Sequence, residues 1–352
     1  MSRAEVETEL LKNSKRYDSI DGLRAFSAIG IVLMHVLANG NYSLDGFAFD
    51  RLIPSFTNLV FLFMIISAFS MCCGYYDRII NNEITVGEFY GKRYAKVWPF
   101  FALLCVLDLI ASPSVNSLYE VFANLTLCFG LLPNAKISVI GVGWFLGLVF
   151  VFYLIFPFFC YLISDKRRAW FSFVVALMFN LFCADYFGIE RTNFMYSAVF
   201  FLVGGLIFIY RGQLEKVVEK YRWIVLGLCA VTTVGYYVLG GTIVLMLILF
   251  SLYLIYALGN NKRGMLRNSI TMFFSSISME VYLTHMLIYR VLEKVGITHI
   301  LGDGILAYTF IFMGTLVGTV GFAIITQKGI KLIDKLVFFM RKRVNERKHL
   351  EQ

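Results

Sequence analysis

The sequence predicts an all-α integral membrane protein: a polytopic bundle of about ten transmembrane helices with both termini cytoplasmic. Three observations predict it. Of 352 residues, 59% are hydrophobic, only 16% are charged, and five are proline. Apolar runs of bilayer-spanning length recur from one end of the chain to the other. Basic residues fall on alternate connecting segments, as they do when a chain threads a membrane repeatedly.

Spans are expected near 22–40, 56–74, 94–112, 141–163, 169–186, 194–211, 222–240, 241–258, 269–292 and 305–326. The first doubles as the insertion signal, because residues 1–20 are charged and polar and lack the short apolar core and cleavage site of a secretory leader. A stretch at 118–133 is apolar but interrupted, and reads as a partly inserted or surface segment. The seventh and eighth spans meet at Gly240 and Gly241, so closely that the two read almost as one. After residue 327, Ile330, Leu332, Ile333, Leu336 and Val337 alternate with lysines, which predicts a short amphipathic helix on the inner leaflet and then a basic tail. The organisation is therefore a cytoplasmic segment over 1–21, a transmembrane domain over 22–326, and the amphipathic helix and tail over 327–352, with no soluble domain expected at either end.

Orientation follows from the cations. With the N-terminus inside, inner segments hold Lys12, Lys15 and Arg16; Arg78, Lys92 and Arg93; Lys166, Arg167 and Arg168; Arg211, Lys216, Lys220 and Arg222; Lys262, Arg263 and Arg267; and the tail from Lys328 to Lys348. Outer segments hold only Arg51, Lys136, Arg191, Arg290 and Lys294. The net charge of +9 is thus mostly a topology signal, and no nucleic-acid partner is expected. Seven cysteines (72, 73, 105, 128, 160, 183 and 229) lie in apolar stretches without metal-ligand or disulfide-like spacing, and no metal is expected.

The first span carries Arg24 and His35. At about 100° per residue, eleven positions return to within about 20°, so both side chains share one stripe. They stand roughly 16 Å apart along it. Asp21, Ala28 and Asn39 fall on the same side, and Ile29, Leu33 and Leu37 cover the opposite, lipid-suited side. Ionisable residues inside a span are costly and face a protein interior, so this stripe is a candidate site.

A second cluster lies in Phe89-Tyr-Gly-Lys-Arg-Tyr-Ala-Lys-Val-Trp-Pro99, at the start of the third span. Lys92, Arg93 and Lys96 are either a phosphate-holding group or a routine inner-surface anchor, and Tyr94 and Trp98 suit an interfacial belt. In the ninth span, Glu280, Tyr282 and His285 are either an outward-opening polar site or an interhelical hydrogen-bond network. Asp108 is a further acidic candidate. Trp144 either stacks on a ligand or packs at the interface. His299 and His349 read as ordinary surface residues.

Taken together these stretches resemble the membrane acyltransferase family 3. The run Ile-Asp-Gly-Leu-Arg24-Ala-Phe with His35 is similar to its hallmark, a cation followed by ten residues and a histidine in the first span. Lys92-Arg93-Tyr-Ala-Lys96-Val-Trp-Pro is similar to its second cationic motif. Phe61-Leu-Phe-Met-Ile-Ile-Ser67-Ala-Phe69, Gly143-Trp144-Phe-Leu146 with Phe152-Tyr153 and Pro157, and Ile277-Ser-Met-Glu280-Val-Tyr282-Leu-Thr-His285 are similar to later motifs. The resemblance covers roughly 17–326 in the expected order. Four departures stand out. Lys96 replaces an arginine and loses bidentate geometry. Ala68 replaces a glycine, which suggests looser packing. Val149 stands where some members have glutamate, and no appended hydrolase-like domain is expected.

The resemblance implies an O-acyltransferase of the bacterial cytoplasmic membrane, with acetyl-CoA (acyl-CoA) as donor and a glycan or lipid-linked sugar as acceptor. Arg24, Lys92, Arg93 and Lys96 would hold the donor. His35 would act as general base or accept the acyl group itself. Trp144, Glu280, Tyr282 and His285 would meet the acceptor. The partners expected are the lipid bilayer, acyl-CoA and the glycan, with a homodimer left open. The rival reading is a polysaccharide or proton-coupled transporter that transfers no acyl group, and a third is an inactive scaffold in a polysaccharide-synthesis complex.

Overall fold

The computed structural model describes residues 17–127, 129–132, 139–260 and 264–350, without the side chains of His299 or of residues after 332. The expectations for Lys12, Lys15, Arg16, Cys128, Lys136, Lys262, Arg263, His299, Ile333, Leu336, Val337, Lys348 and His349 lie outside that description. Among the described residues every regular element is helical, and the one β-type contact is an isolated bridge between Gly264 and Arg267.

In chain order the helices are α1 (Asp18–Asn39), α2 (Leu59–Ile80), α3 (Val86–Ala111), α4 (Val115–Thr126), α5 (Trp144–Ile163), α6 (Lys166–Met178), α7 (Phe194–Ile209), α8 (Arg211–Val238), α9 (Ile243–Gly259), α10 (Ser269–Ser276), α11 (Ser278–Lys294) and α12 (Ile305–Leu350). Six helical stretches are long and apolar enough to cross a membrane: Asp18–Asn39, Ala48–Ile80, Val86–Ala111, Gly141–Ile163, Arg211–Val238 and Ile305–Leu332. Helices α7 and α9 are apolar but have only 16 and 17 residues.

Four expected boundaries shift for local reasons. The third span starts earlier than 94, because Thr85 and Glu88 cap α3 reciprocally: the Glu88 amide donates to Thr85 Oγ1 at 3.2 Å and the Thr85 amide to the Glu88 carboxylate at 3.1 Å. Lys92, Arg93 and Lys96 therefore lie inside a helix. The expected ninth span is not one helix, since Ile277 (φ −118°, ψ 14°) breaks it into α10 and α11. The boundary expected at 222 is a kink at Tyr221 within α8. At 327 there is no break at all: α12 runs on through the stretch expected to form a separate amphipathic helix.

Helix α1 is central. Ala25, Ala28, Ile31 and Val32 are buried, and the Ile29–Leu33–Leu37 stripe is half-buried rather than lipid-facing. Tyr308 of α12 lies over that stripe and donates to the Leu33 carbonyl at 3.0 Å. Beyond α1 the core is aromatic, with stacked pairs Phe61–Phe200 (4.3 Å between centroids) and Phe152–Phe201 (4.2 Å). The looser packing suggested by Ala68 is not found, because the glycine lies across the interface: a Cβ on Gly204 would stand 2.7 Å from the Ala68 Cβ and collide with the Ile65 carbonyl. Gly204→Ala is therefore expected to push α2 and α7 apart, at the roughly 1–3 kcal/mol typical of overpacking. A lower melting temperature in detergent checks this.

We call the end where α1 begins proximal and the end at Asn39 distal.

Candidate active site

The site is built along α1. Near the proximal end Arg24 donates from Nη1 to Asp21 (3.0 Å) and from Nη2 to Ser70 Oγ on α2 (2.7 Å). These bonds hold its guanidinium at the wall of a cavity of about 840 Å3. Arg93 and Lys96 from α3 and Lys331 from α12 line the same cavity. Arg93 is clamped between two rings, with its guanidinium carbon 4.4 Å from the Tyr75 centroid and 5.4 Å from that of Tyr153. Its Nε is buried without a hydrogen-bond partner among the described residues. Four cations thus meet at one cavity, which Ser67, Ser70, Ser275, Ser276 and Ser278 also line. Val149 adds apolar wall where some members of the resembled family have glutamate. A volume within the 300–1,000 Å3 usual for small-molecule sites, lined by four cations together with hydroxyls and apolar side chains, suits an anionic ligand.

The cavity ends at Phe63, Phe145 and Tyr282. Tyr282 donates to the Val142 carbonyl at 2.7 Å and packs edge-on against Phe145 at 5.3 Å. Behind this aromatic wall lie two imidazoles. His35 and His285 have ring centroids 5.0 Å apart and planes inclined by 41°, and Tyr282 is 6.1 Å from His285. His285 is wholly buried, with Nδ1 3.2 Å from the Val281 carbonyl. A carbonyl only accepts, so the neutral imidazole carries its proton on Nδ1 and a lone pair on Nε2. That Nε2 is buried and has no partner among the described residues.

A third group closes this region. Arg191 is held by Thr57, donating from Nη1 to Oγ1 (3.2 Å) and from Nη2 to the carbonyl (2.7 Å). Its guanidinium carbon lies 5.1 Å from the Phe61 ring centroid and 5.2 Å from that of Trp144. Trp144 in turn packs on Phe145 of the aromatic wall, and the buried Arg191 Nε has no partner among the described residues.

The residues singled out from the sequence therefore sort into groups. Arg24, Arg93 and Lys96 share the cavity, whereas Lys92 is exposed and does not line it. His35 and His285 come together. Glu280 does not join them: five residues on a helix turn through about 140°, so it faces the cavity and accepts from Gln327 at 2.6 Å. Trp144 packs on Arg191 and Phe145 rather than lining the cavity. Asp108, near the distal end of α3, lines none of it. Lys331 and Arg191 were expected only as topology charges. The signal that sets Arg191 apart is its position in a segment otherwise poor in cations.

A family profile described as an acyltransferase domain matches residues 17–324. No curated protein and no solved structure matches the chain.

Proposed function

Because this chain belongs to the membrane acyltransferase 3 family and is a multi-pass membrane acyltransferase, we propose that it moves an acetyl group from acetyl-CoA to a hydroxyl of a cell-surface or lipid-linked glycan, in the bacterial cytoplasmic membrane. The proximal end is then cytoplasmic. The observation that carries this reading is the imidazole pair standing behind the inner end of a cavity whose wall holds four cations.

The CoA phosphates sit among Arg24, Arg93, Lys96 and Lys331, and the thin pantetheine arm passes the serine hydroxyls toward Tyr282. The run from Arg24 to His35, roughly 16 Å along α1, is comparable to the reach of that arm. The wall of Phe63, Phe145 and Tyr282 yields to admit the thioester and otherwise keeps water from it. His35 takes the proton of the acceptor hydroxyl as its oxygen attacks the thioester carbonyl. The carbon–sulfur bond then breaks, and the leaving thiolate receives that proton from His35, giving an ester and free CoA. The His285 Nε2 lone pair supports the imidazolium formed in between. The Arg191 Nε–H, which has no partner among the described residues, is the donor for the oxyanion that develops on the carbonyl oxygen.

The test is thiol release by purified protein in liposomes, with acetyl-CoA, with and without a crude extract of lipid-linked glycans. Extract-dependent release supports the reading. Absence of release with any acyl-CoA, from folded protein given that extract, favours the transporter reading.

The sorting of the cations makes a sharper expectation. Arg93→Ala removes a donor held for a phosphate, worth about 1.5–3 kcal/mol when charge-assisted, so the KM for acetyl-CoA rises about tenfold or more. Lys92→Ala, which touches no wall of the cavity, leaves that KM nearly unchanged. Initial rates across an acetyl-CoA series check both.

A further inference from the structure

Beyond the imidazole pair the protein has a second, smaller pocket at the distal end, with a volume of about 200 Å3. Two helices connect it to the chemistry. On α1, Asn39 lines the pocket one turn past His35 and folds back to donate to the His35 carbonyl at 2.8 Å. On α11, Tyr289 and Glu293 line it one and two turns past His285. At about 1.5 Å per residue, the nearest lining residues stand only about 6 Å along each helix from the histidines. The donor cavity and this pocket thus lie on opposite sides of His35 and His285.

The distal pocket is built rather than incidental. Its floor is Gly40, where any Cβ would collide with the Tyr42 ring lying across it. Ser43 pins the two contributing loops together, its amide donating to the Asp303 carbonyl at 2.9 Å and its hydroxyl to the Asp303 carboxylate at 2.5 Å. Tyr42 Oη and Thr298 Oγ1 are buried there with no hydrogen-bond partner among the described residues.

We infer that this pocket is the acceptor subsite, and that it holds one neutral sugar residue with a hydroxyl directed at His35. The inference rests on the acyltransfer reading above. Glu293 and Asp303 accept from vicinal hydroxyls, the Asn39 amide and the two unpartnered hydroxyls donate and accept, and the rings of Tyr42 and Tyr289 offer apolar faces. Two carboxylates disfavour a phosphate or a uronic acid in the same place. The volume falls below the roughly 300–1,000 Å3 of drug-sized ligand sites, which fits a single ring. Donor and acceptor then approach from opposite ends, and the hydroxyl gives its proton to His35 while its oxygen takes the acyl carbon.

The test uses the full-length protein in liposomes, with acetyl-CoA and the crude lipid-linked glycan extract as probes. It compares wild type with Glu293→Gln, Asp303→Asn and, as a control from the same end outside the pocket, Asp45→Asn. Acetyl-CoA binding to each variant is measured in parallel and reports on folding. We expect the two pocket variants to need about tenfold more extract for half-maximal thiol release, with acetyl-CoA binding and the acetyl-CoA KM unchanged, and Asp45→Asn to match wild type. If wild type responds to extract and the pocket variants respond identically, the subsite is overturned and the acyltransfer reading stands. If the pocket variants lose acetyl-CoA binding as well, the residues act on the fold, and the subsite is overturned. If wild type itself shows no extract-dependent release, the acyltransfer reading fails and the subsite falls with it.

Discussion

His35→Ala is expected to lower the rate of acyl transfer by about 10²–10⁴-fold, the range that positioned general acid–base catalysis supplies. The loss should fall on kcat and leave the acetyl-CoA KM near its wild-type value, because the cations proposed to hold the donor line the cavity on the far side of the aromatic wall from His35. A fall in kcat at constant KM is the signature of an interaction made only in the transition state. His35 is half-buried, so the truncation leaves a small void and should shift the melting temperature little. Thiol release and a melting curve on the same preparation separate the two effects. A variant with wild-type kcat would remove His35 from the chemistry.

The same preparation distinguishes the two roles open to His35. A base holds no acyl group, whereas a nucleophilic imidazole becomes acylated before the acceptor binds. Next to His285 and behind Tyr282, His35 is set to exchange a proton with a hydroxyl that reaches it from the distal side. Radiolabelled acetyl-CoA supplied without acceptor is therefore expected to leave no label on wild-type protein. Label that appears on wild type and vanishes in His35→Ala would establish the covalent route instead.

What the sequence discloses about this site depends on how local the cause is. The Arg24–His35 stripe is legible because helical periodicity acts within one short segment. The start of α3 is equally legible in Thr85-x-x-Glu88, a cap signature, although the apolar run alone points to residue 94. The break at Ile277 has no comparable marker: no proline or glycine stands there, and the ninth span reads as continuous. The convergence of His35 with His285 is set by helix packing across 250 positions, which no spacing rule encodes. Glu280 and His285 sit in one motif and invite one role, yet the turn between them sends one to the cation-lined cavity and the other to the imidazole pair. The ten apolar segments are plain, but among the described residues only six helical stretches have the length and hydropathy of a full span, because breaks and short helices divide the others.

Arg191 is the clearest case of meaning made by packing, and it carries the second large expectation. In the sequence it is one cation in a distal loop. In the fold Thr57 accepts from both terminal nitrogens, Phe61 and Trp144 flank the guanidinium, and the buried Nε–H has no partner among the described residues. A buried donor without a partner costs about 1–3 kcal/mol, a cost that is offset when a developing oxyanion accepts from it. Removing one such donor typically slows catalysis about 10²–10³-fold, so Arg191→Met should lose that much in kcat with acetyl-CoA binding intact. Arg191→Lys should not restore it, because a lysine bonded to Thr57 has no second, fixed donor to offer. The control is the melting temperature, since Arg191 also ties the Thr57 turn to the start of α7. A matching loss of stability and donor binding in both variants would assign Arg191 to the fold alone. A loss confined to kcat would place its Nε–H at the reacting carbonyl.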